Sequence, residues 1–358
     1  MKKIFLIFII LPLSIFSQNS NYKIIKSGYS KCFDSVIYQI NKQPYTCEPS
    51  TVSYFRGNIF IGNDKLFPEP YSSIFSFKFD NNIDCKTRQY STNKYFKYVN
   101  KFEASTVTPD SSFFIFTGAF NYTWNKDTNN RKFNTAIFFK TTDAEIGGVL
   151  HIKNKKGKYS KEIKEELKKA LKNKHFPKGP DYLKIEGLAA IPGNKLLFGV
   201  REFGKSYEDF NYTITIIQTK FKIKNNKVVL SDKFKKIYSF KPGPKYGDIA
   251  LSSIEFNSYD SCLYVVTSLE KGTRTKDIGA YLWKISLDDL YKQKPLTPIL
   301  DSNNQHIRFN HKIEGMTFVG PNKILLIADD DRIRGINEQN PFFERQFNEF
   351  FWYLIELY

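Results

Sequence analysis

The chain has 358 residues, enough for a large core, and a formal charge of +18 from 54 Lys and Arg against 36 Asp and Glu. Such a charge suits a nucleic-acid partner, but the excess is mostly lysine spread along the chain among many asparagines, so no nucleic-acid partner is expected. Beyond the first residues no stretch is apolar enough to span a membrane.

The chain opens with Lys2 and Lys3, the apolar run IFLIFIILPLSIF and then Ser17-Gln18. A basic start, a short apolar run and a small residue at a cleavage point predict a signal peptide over 1–17, and so a secreted or periplasmic protein. Its removal leaves 341 residues (358 − 17) and a charge of +16 (18 − 2). In an oxidising compartment Cys32 and Cys47 are expected to form a disulfide, while Cys262, in the apolar run CLYVV, is expected to be a buried free thiol. There is no CxxC pair or Cys/His spacing for zinc.

From residue 48 one pattern recurs. It reads EPSTVSYFRGNIFIGNDK from Glu48, EASTVTPDSSFFIFTGAF from Glu103, KIEGLAAIPGNKLLFGVRE over 184–202, SSIEFNSYDSCLYVVTSLE from Ser252 and KIEGMTFVGPNKILLIADDD over 312–331. Each copy predicts a hairpin: a strand of small residues, a turn of Gly, Pro, Asn or Asp, and a fatter apolar strand. Third strands follow at SSIFSFKF, NTAIFFK, TITIIQTKF, AYLWKISL and FFWYLIELY, and polar fourth strands are expected at FKYVNKF, KKIYSF and LTPIL. Four-stranded units about every 60 residues define an all-β, five-bladed β-propeller. It is expected to occupy 18–358 as a single domain, with the early segment YKIIKSG supplying the last blade's fourth strand. Six blades would follow if 130–180 held a degenerate copy, and two packed β-domains are the plainer alternative. SKEIKEELKKALKNKH, 160–175, places Ile163, Leu167, Ala170 and Leu171 on one face, which predicts an inserted helix with Ser160 as its cap.

The repeat also distributes chemistry. It puts Glu48, Glu103, Glu186 and Glu314 at one position of the inner strand, where they should converge at one mouth of the channel. Clustered carboxylates need neutralising. Either they hold a cation, with oxygen-only ligands suiting Ca²⁺, or they act as staples on neighbouring backbone. Asp329 ends the last second strand and is added to this metal set. Asn63, Asp64, Arg201, Glu202 and Arg332 stand at equivalent strand ends and are the expected ligand contacts. There is no GxSxG and no HExxH, and the four histidines do not follow the repeat.

EGLAAIPGNKLLFGVRE and EGMTFVGPNKILLIADDD resemble the phytase-like, or esterase-like, secreted β-propellers and the related SdiA-regulated propellers. The resemblance implies an extracytoplasmic propeller with calcium at acidic channel residues, here Glu186, Glu314 and Asp329. Two functions are carried forward. One is a monomeric binding module whose acidic mouth takes an anionic small molecule or a glycan. The other is a metal-assisted phosphoester or ester hydrolase using Glu186, Glu314 and Arg201. A cell-surface interaction scaffold is a third.

Overall fold

A computed structural model describes residues 21–122, 128–270, 277–330 and 345–358. The segment 1–17, read as a signal peptide, and Arg332 lie outside the described residues. The fold is a five-bladed propeller. Blade 1 runs Pro49–Phe55, Asn58–Asn63, Ile74–Phe79, Ile83–Tyr90, and blade 2 runs Phe102–Val107, Phe113–Gly118, Ala136–Lys140, Asp143–Val149. Blade 3 is Tyr182–Ile191, Lys195–Ser206, Asp209–Lys224 and Lys235–Phe240. Blade 4 is Ala250–Asn257, Cys262–Glu270 and Ile278–Ser286, its outer edge shared by Thr297–Pro298 and Arg308–Phe309. Blade 5 is Ile313–Phe318, Lys323–Ala328 and Glu349–Leu357, closed by Tyr22–Lys31 from the other end of the chain. That closing strand pairs antiparallel from Tyr22↔Leu357 to Lys31↔Glu349, as the segment YKIIKSG predicted.

Each blade's first strand touches the first strands of its two neighbours in cyclic order, which makes these strands the inner wall. Small residues there allow the approach. Thr51 Oγ1 and Ser53 Oγ of blade 1 lie 2.6 and 2.9 Å from Ser105 Oγ of blade 2. A Cβ at Gly187 would stand 3.0 Å from both Leu251 and Ile254 of blade 4, so the glycine after Glu186 serves packing. Five apolar clusters fill the five junctions between blades. Phe75, Phe77, Trp352 and Leu354 occupy the junction of blades 5 and 1, and Phe102, Phe114, Phe116 and Phe139 that of blades 1 and 2. Truncating one such side chain to Ala costs ~2–5 kcal/mol, so the ring rests on its junctions.

The helix is observed over Lys161–Ala170, and Ile163, Leu167 and Leu171 pack into the junction of blades 2 and 3. Ser160 precedes it, but its hydroxyl donates to Leu150 O at 2.7 Å and accepts from Ala136 N at 3.1 Å instead of capping. Two expectations are corrected. FKYVNKF is no strand: Phe96–Tyr98 is a 3₁₀ turn, and the outer strand of blade 1 is Ile83–Tyr90. Only Ile83 of that strand is fully buried, so it lacks the apolar period that marks the others. The region 130–180 holds the outer half of blade 2 and the helix, with no sixth blade among the described residues. Cys32 and Cys47 form a disulfide, whereas Cys85 and Cys262 are free and half-buried.

Candidate functional site: a belt of charge at one mouth

The inner strands begin, and the second strands end, at the same mouth of the ring. There the repeat glutamates converge, all four buried. They do not face one another bare. For three of them the counterion comes from the position two residues earlier in the chain. Lys101, Lys184 and Lys312 precede Glu103, Glu186 and Glu314 in this way.

The result is a chain of ion pairs around the mouth. Lys65 Nζ lies 3.0 Å from Glu48 and 3.0 Å from Asp64. Lys101 links Asp64 of blade 1 (2.8 Å) to Glu103 of blade 2 (2.9 Å). Lys184 joins Glu103 (3.6 Å) to Glu186, which it contacts closely. Arg201, only 1 % exposed, carries the chain into blade 4. Its NH1 donates to Glu186 (3.0 Å) and Ser268 (2.7 Å), its Nε to Glu202 (3.2 Å) and its NH2 to Glu270 (3.4 Å). Lys312 then ties Glu270 (3.1 Å) to Glu314 of blade 5 (2.8 Å). Among the described residues, four of the five junctions are therefore bridged by a cation of the chain itself.

The fifth junction, between blades 5 and 1, differs. Blade 1 carries Thr46 where three other blades carry lysine. Here Glu48, Asp64 and Asp329 each bring a carboxylate oxygen within 4.8 Å of the others, all three buried. Asp64 Oδ2 takes both lysines, but Asp64 Oδ1 is buried without a hydrogen bond. Beside the group, His311 Nδ1 stands 2.7 Å from Asp330 Oδ2, and its ring stacks on Phe351 at 4.1 Å.

The electrostatics follow the pairs. Burial pushes the Asp64 carboxyl up, but Lys101 and Lys65 outweigh it and hold the group below the usual range. Burial also opposes ionisation of Glu186, where Arg201, Lys184 and Lys312 prevail and lower it. At Glu103 burial wins over Lys101 and Lys184, and the carboxyl is raised. Asp330 is held low against burial chiefly by His311.

The expected site residues thus separate. Glu48, Asp64 and Asp329 come together, and Glu103, Glu186 and Glu314 sit in the belt, each held by chain cations. Asn63 is fully buried and acts as a clamp: its Oδ1 accepts from Glu48 N (2.8 Å) and its Nδ2 donates to Lys65 O (2.9 Å). Glu202 accepts from Tyr182 Oη at 2.7 Å as well as from Arg201. Lys101, Lys184 and Lys312 went unread in the sequence, although the K-x-E spacing was the signal for them.

No protein-family model matches the chain, and no curated protein matches it either. Solved structures do. A GH43 β-1,3-galactosidase with galactodeoxynojirimycin aligns at 10 % identity and TM-score 0.44, over 89 % of this chain and 93 % of that one. A luciferin-regenerating enzyme aligns at 8 % identity and TM-score 0.35, over 92 % and 95 %. A periplasmic gluconolactonase of Pseudomonas aeruginosa aligns at 8 % identity and TM-score 0.37, over 78 % and 81 %. Values this low assign no activity. No helix among the described residues is long and apolar enough to cross a membrane.

Proposed function

We propose that this protein is an extracytoplasmic binding propeller, exported by residues 1–17, whose mouth holds a divalent cation of the Ca²⁺ type at Glu48, Asp64 and Asp329. The supporting observation is the asymmetry of the belt. Among the described residues, lysine or arginine bridges four junctions, and the fifth gathers three carboxylates with a buried Asp64 oxygen that has no hydrogen bond. Buried carboxylates gathered this closely repel one another, and a cation beside Lys65 and Lys101 would relieve that repulsion. All three donors are oxygens, as Ca²⁺ prefers. The resemblance of the KIEG segments to phytase-like and SdiA-regulated propellers points the same way. A cation there would complete the ring and leave the mouth able to take a ligand. Arg201 already makes bonds to Glu186, Glu202, Ser268 and Glu270, so the hydrolase reading draws no support from it.

The test is a thermal melt of the mature chain in EDTA and then in rising Ca²⁺. A ligand at about 100 times its Kd adds about 2.7 kcal/mol to stability. Unfolding entropy of ~2.1 cal/mol/K per residue makes this about 3–4 °C for a chain of this length. Asp64→Asn should remove the rise. A midpoint unmoved by Ca²⁺, Mg²⁺ or Mn²⁺ would sink the cation and leave the carboxylates as staples.

A further inference from the structure

The second and third strands of blade 3 run 12 and 16 residues, whereas the second strands of blades 1, 2 and 5 have six. Their pairing continues past the belt, from Glu202↔Tyr212 to Ser206↔Asp209. At ~3.3 Å per residue the hairpin stands some 15 Å above Arg201 as a flap. Strand register puts Tyr212 opposite Glu202, and Phe210 and Tyr182 on either side of Gly204, so these three share the face that carries Glu202.

The face is aromatic, with Tyr182 buried at its base and Tyr207 and Tyr212 open to solvent. Ring centroids lie 5.6 Å apart for Tyr182 and Phe210, 5.3 Å for Phe210 and Tyr212, and 6.4 Å for Tyr207 and Phe210. Tyr207 is 72 % exposed and Tyr212 36 %. At the foot of the face, the Glu270 side chain is 40 % exposed, and Arg201 and Lys312 share its charge.

We propose that this flap face is a saccharide platform: the Tyr207 and Tyr212 rings stack on the C–H face of a neutral sugar, and Glu270 accepts from its hydroxyls. The proposal rests on reading the mouth as a ligand-binding face and adds the ligand class. Charge selects that class. Glu270 is already compensated, so it offers a strong acceptor with little net field. An anion would approach carboxylates. A cationic ligand would compete with Arg201, whose guanidinium already lies 5.4 Å from the Tyr212 ring centre. A polyhydroxylated neutral ring needs both an apolar surface and acceptors, and the face supplies both.

The experiment is calorimetric titration of the full chain with cellohexaose, xylohexaose, mannohexaose and laminarihexaose, each to about 10 mM, a concentration that saturates sites in the usual weak range. Hexagalacturonate and a chitosan hexamer are the charged controls. The expected result is binding of a neutral oligosaccharide that is insensitive to salt. Tyr212→Ala and Tyr207→Ala should each weaken it at least about tenfold, and Tyr207→Phe should retain it. If Tyr212→Ala fails to fold, the exposed Tyr207 decides. Binding by none of the neutral sugars, tighter binding of a charged control, or full affinity in Tyr207→Ala would overturn the proposal. Repeating the titration in EDTA separates the two readings. Sugar binding that persists, beside a melt that Ca²⁺ leaves unmoved, would reject the cation and keep the platform.

Discussion

Arg201→Met is the sharpest test of the belt. The substitution keeps much of the apolar stem and deletes the guanidinium. Glu186 and Glu202 then lose their shared cation inside the ring, and Ser268 loses its donor. Removing one partner of a buried pair costs ~3–5 kcal/mol, because the other charge stays behind. At ~2.1 cal/mol/K per residue, 358 residues give an unfolding entropy of about 0.75 kcal/mol/K. The midpoint at pH 7 should therefore fall by about 4–7 °C, read by calorimetry. Arg201 lowers the Glu186 carboxyl, so that stabilisation exists above the ordinary carboxylate range and fades as pH falls through the folded value. The gap between wild type and variant should accordingly hold from pH 7 down to the ordinary glutamate value of 4.5 and narrow below it. Adding Glu186→Gln to the variant should recover part of the loss, since it removes the stranded charge. A midpoint within about 1 °C of wild type, or no recovery in the double variant, would refute the view that the belt is a set of buried, mutually dependent pairs.

Three further outcomes follow from groups away from the belt. Burial among Tyr246, Tyr281 and Trp283 pushes His306 down to about 4, against the bond to Leu282 O that raises it. The unfolded chain then takes up the proton first, so stability should drop as pH falls from about 6.5 to about 4; a melt series of His306→Gln should lack that component. Lys164 is buried on the helix against Tyr122 O, and burial pushes its ammonium down to about 7. Its charged form opposes folding, so Lys164→Met should raise the midpoint more at pH 6 than at pH 10, and an equal change at both would contradict this. The Cys32–Cys47 disulfide spans a sequence separation of 15. A loop of that size contributes ~3 kcal/mol, and reduction should lower the midpoint by about 4 °C; a chain melting identically with and without reductant would rule this out.

The sequence carried most of the fold because each blade opens with the same hairpin. A strand with period two and a turn of Gly, Pro or Asn leave a local mark, and the five copies repeat it. What resisted reading was what the outer edge does. Ile83–Tyr90 has a single fully buried residue, Ile83, and no apolar alternation to find. The site was half legible. The glutamates were visible as a column, but their partners lie on neighbouring blades, and only geometry shows that Lys101 serves Asp64 as well as Glu103. Arg201 shows the same limit: its place at a strand end was readable, and its burial among three carboxylates and a serine was not. The aromatic flap was hidden because its tyrosines and phenylalanine look like core residues until the strand lengths extend them past the ring.

The closing strand also sets an order of events. Lys31 meets Glu349 across 318 residues (349 − 31). Bringing such distant segments together costs about 5 kcal/mol of loop entropy by the (3/2)RT ln n rule. A chain made from its N-terminus has Tyr22–Lys31 in hand first and its partner, Glu349–Leu357, last. Through that wait the strand is an unpaired edge, the usual seed of aggregation. Lys23, Lys26 and Lys31, with Ser27 and Ser30 between the last two, make it a poor template for the wrong neighbour. The polarity of that one strand lets the chain stay unjoined until its own last blade arrives to receive it.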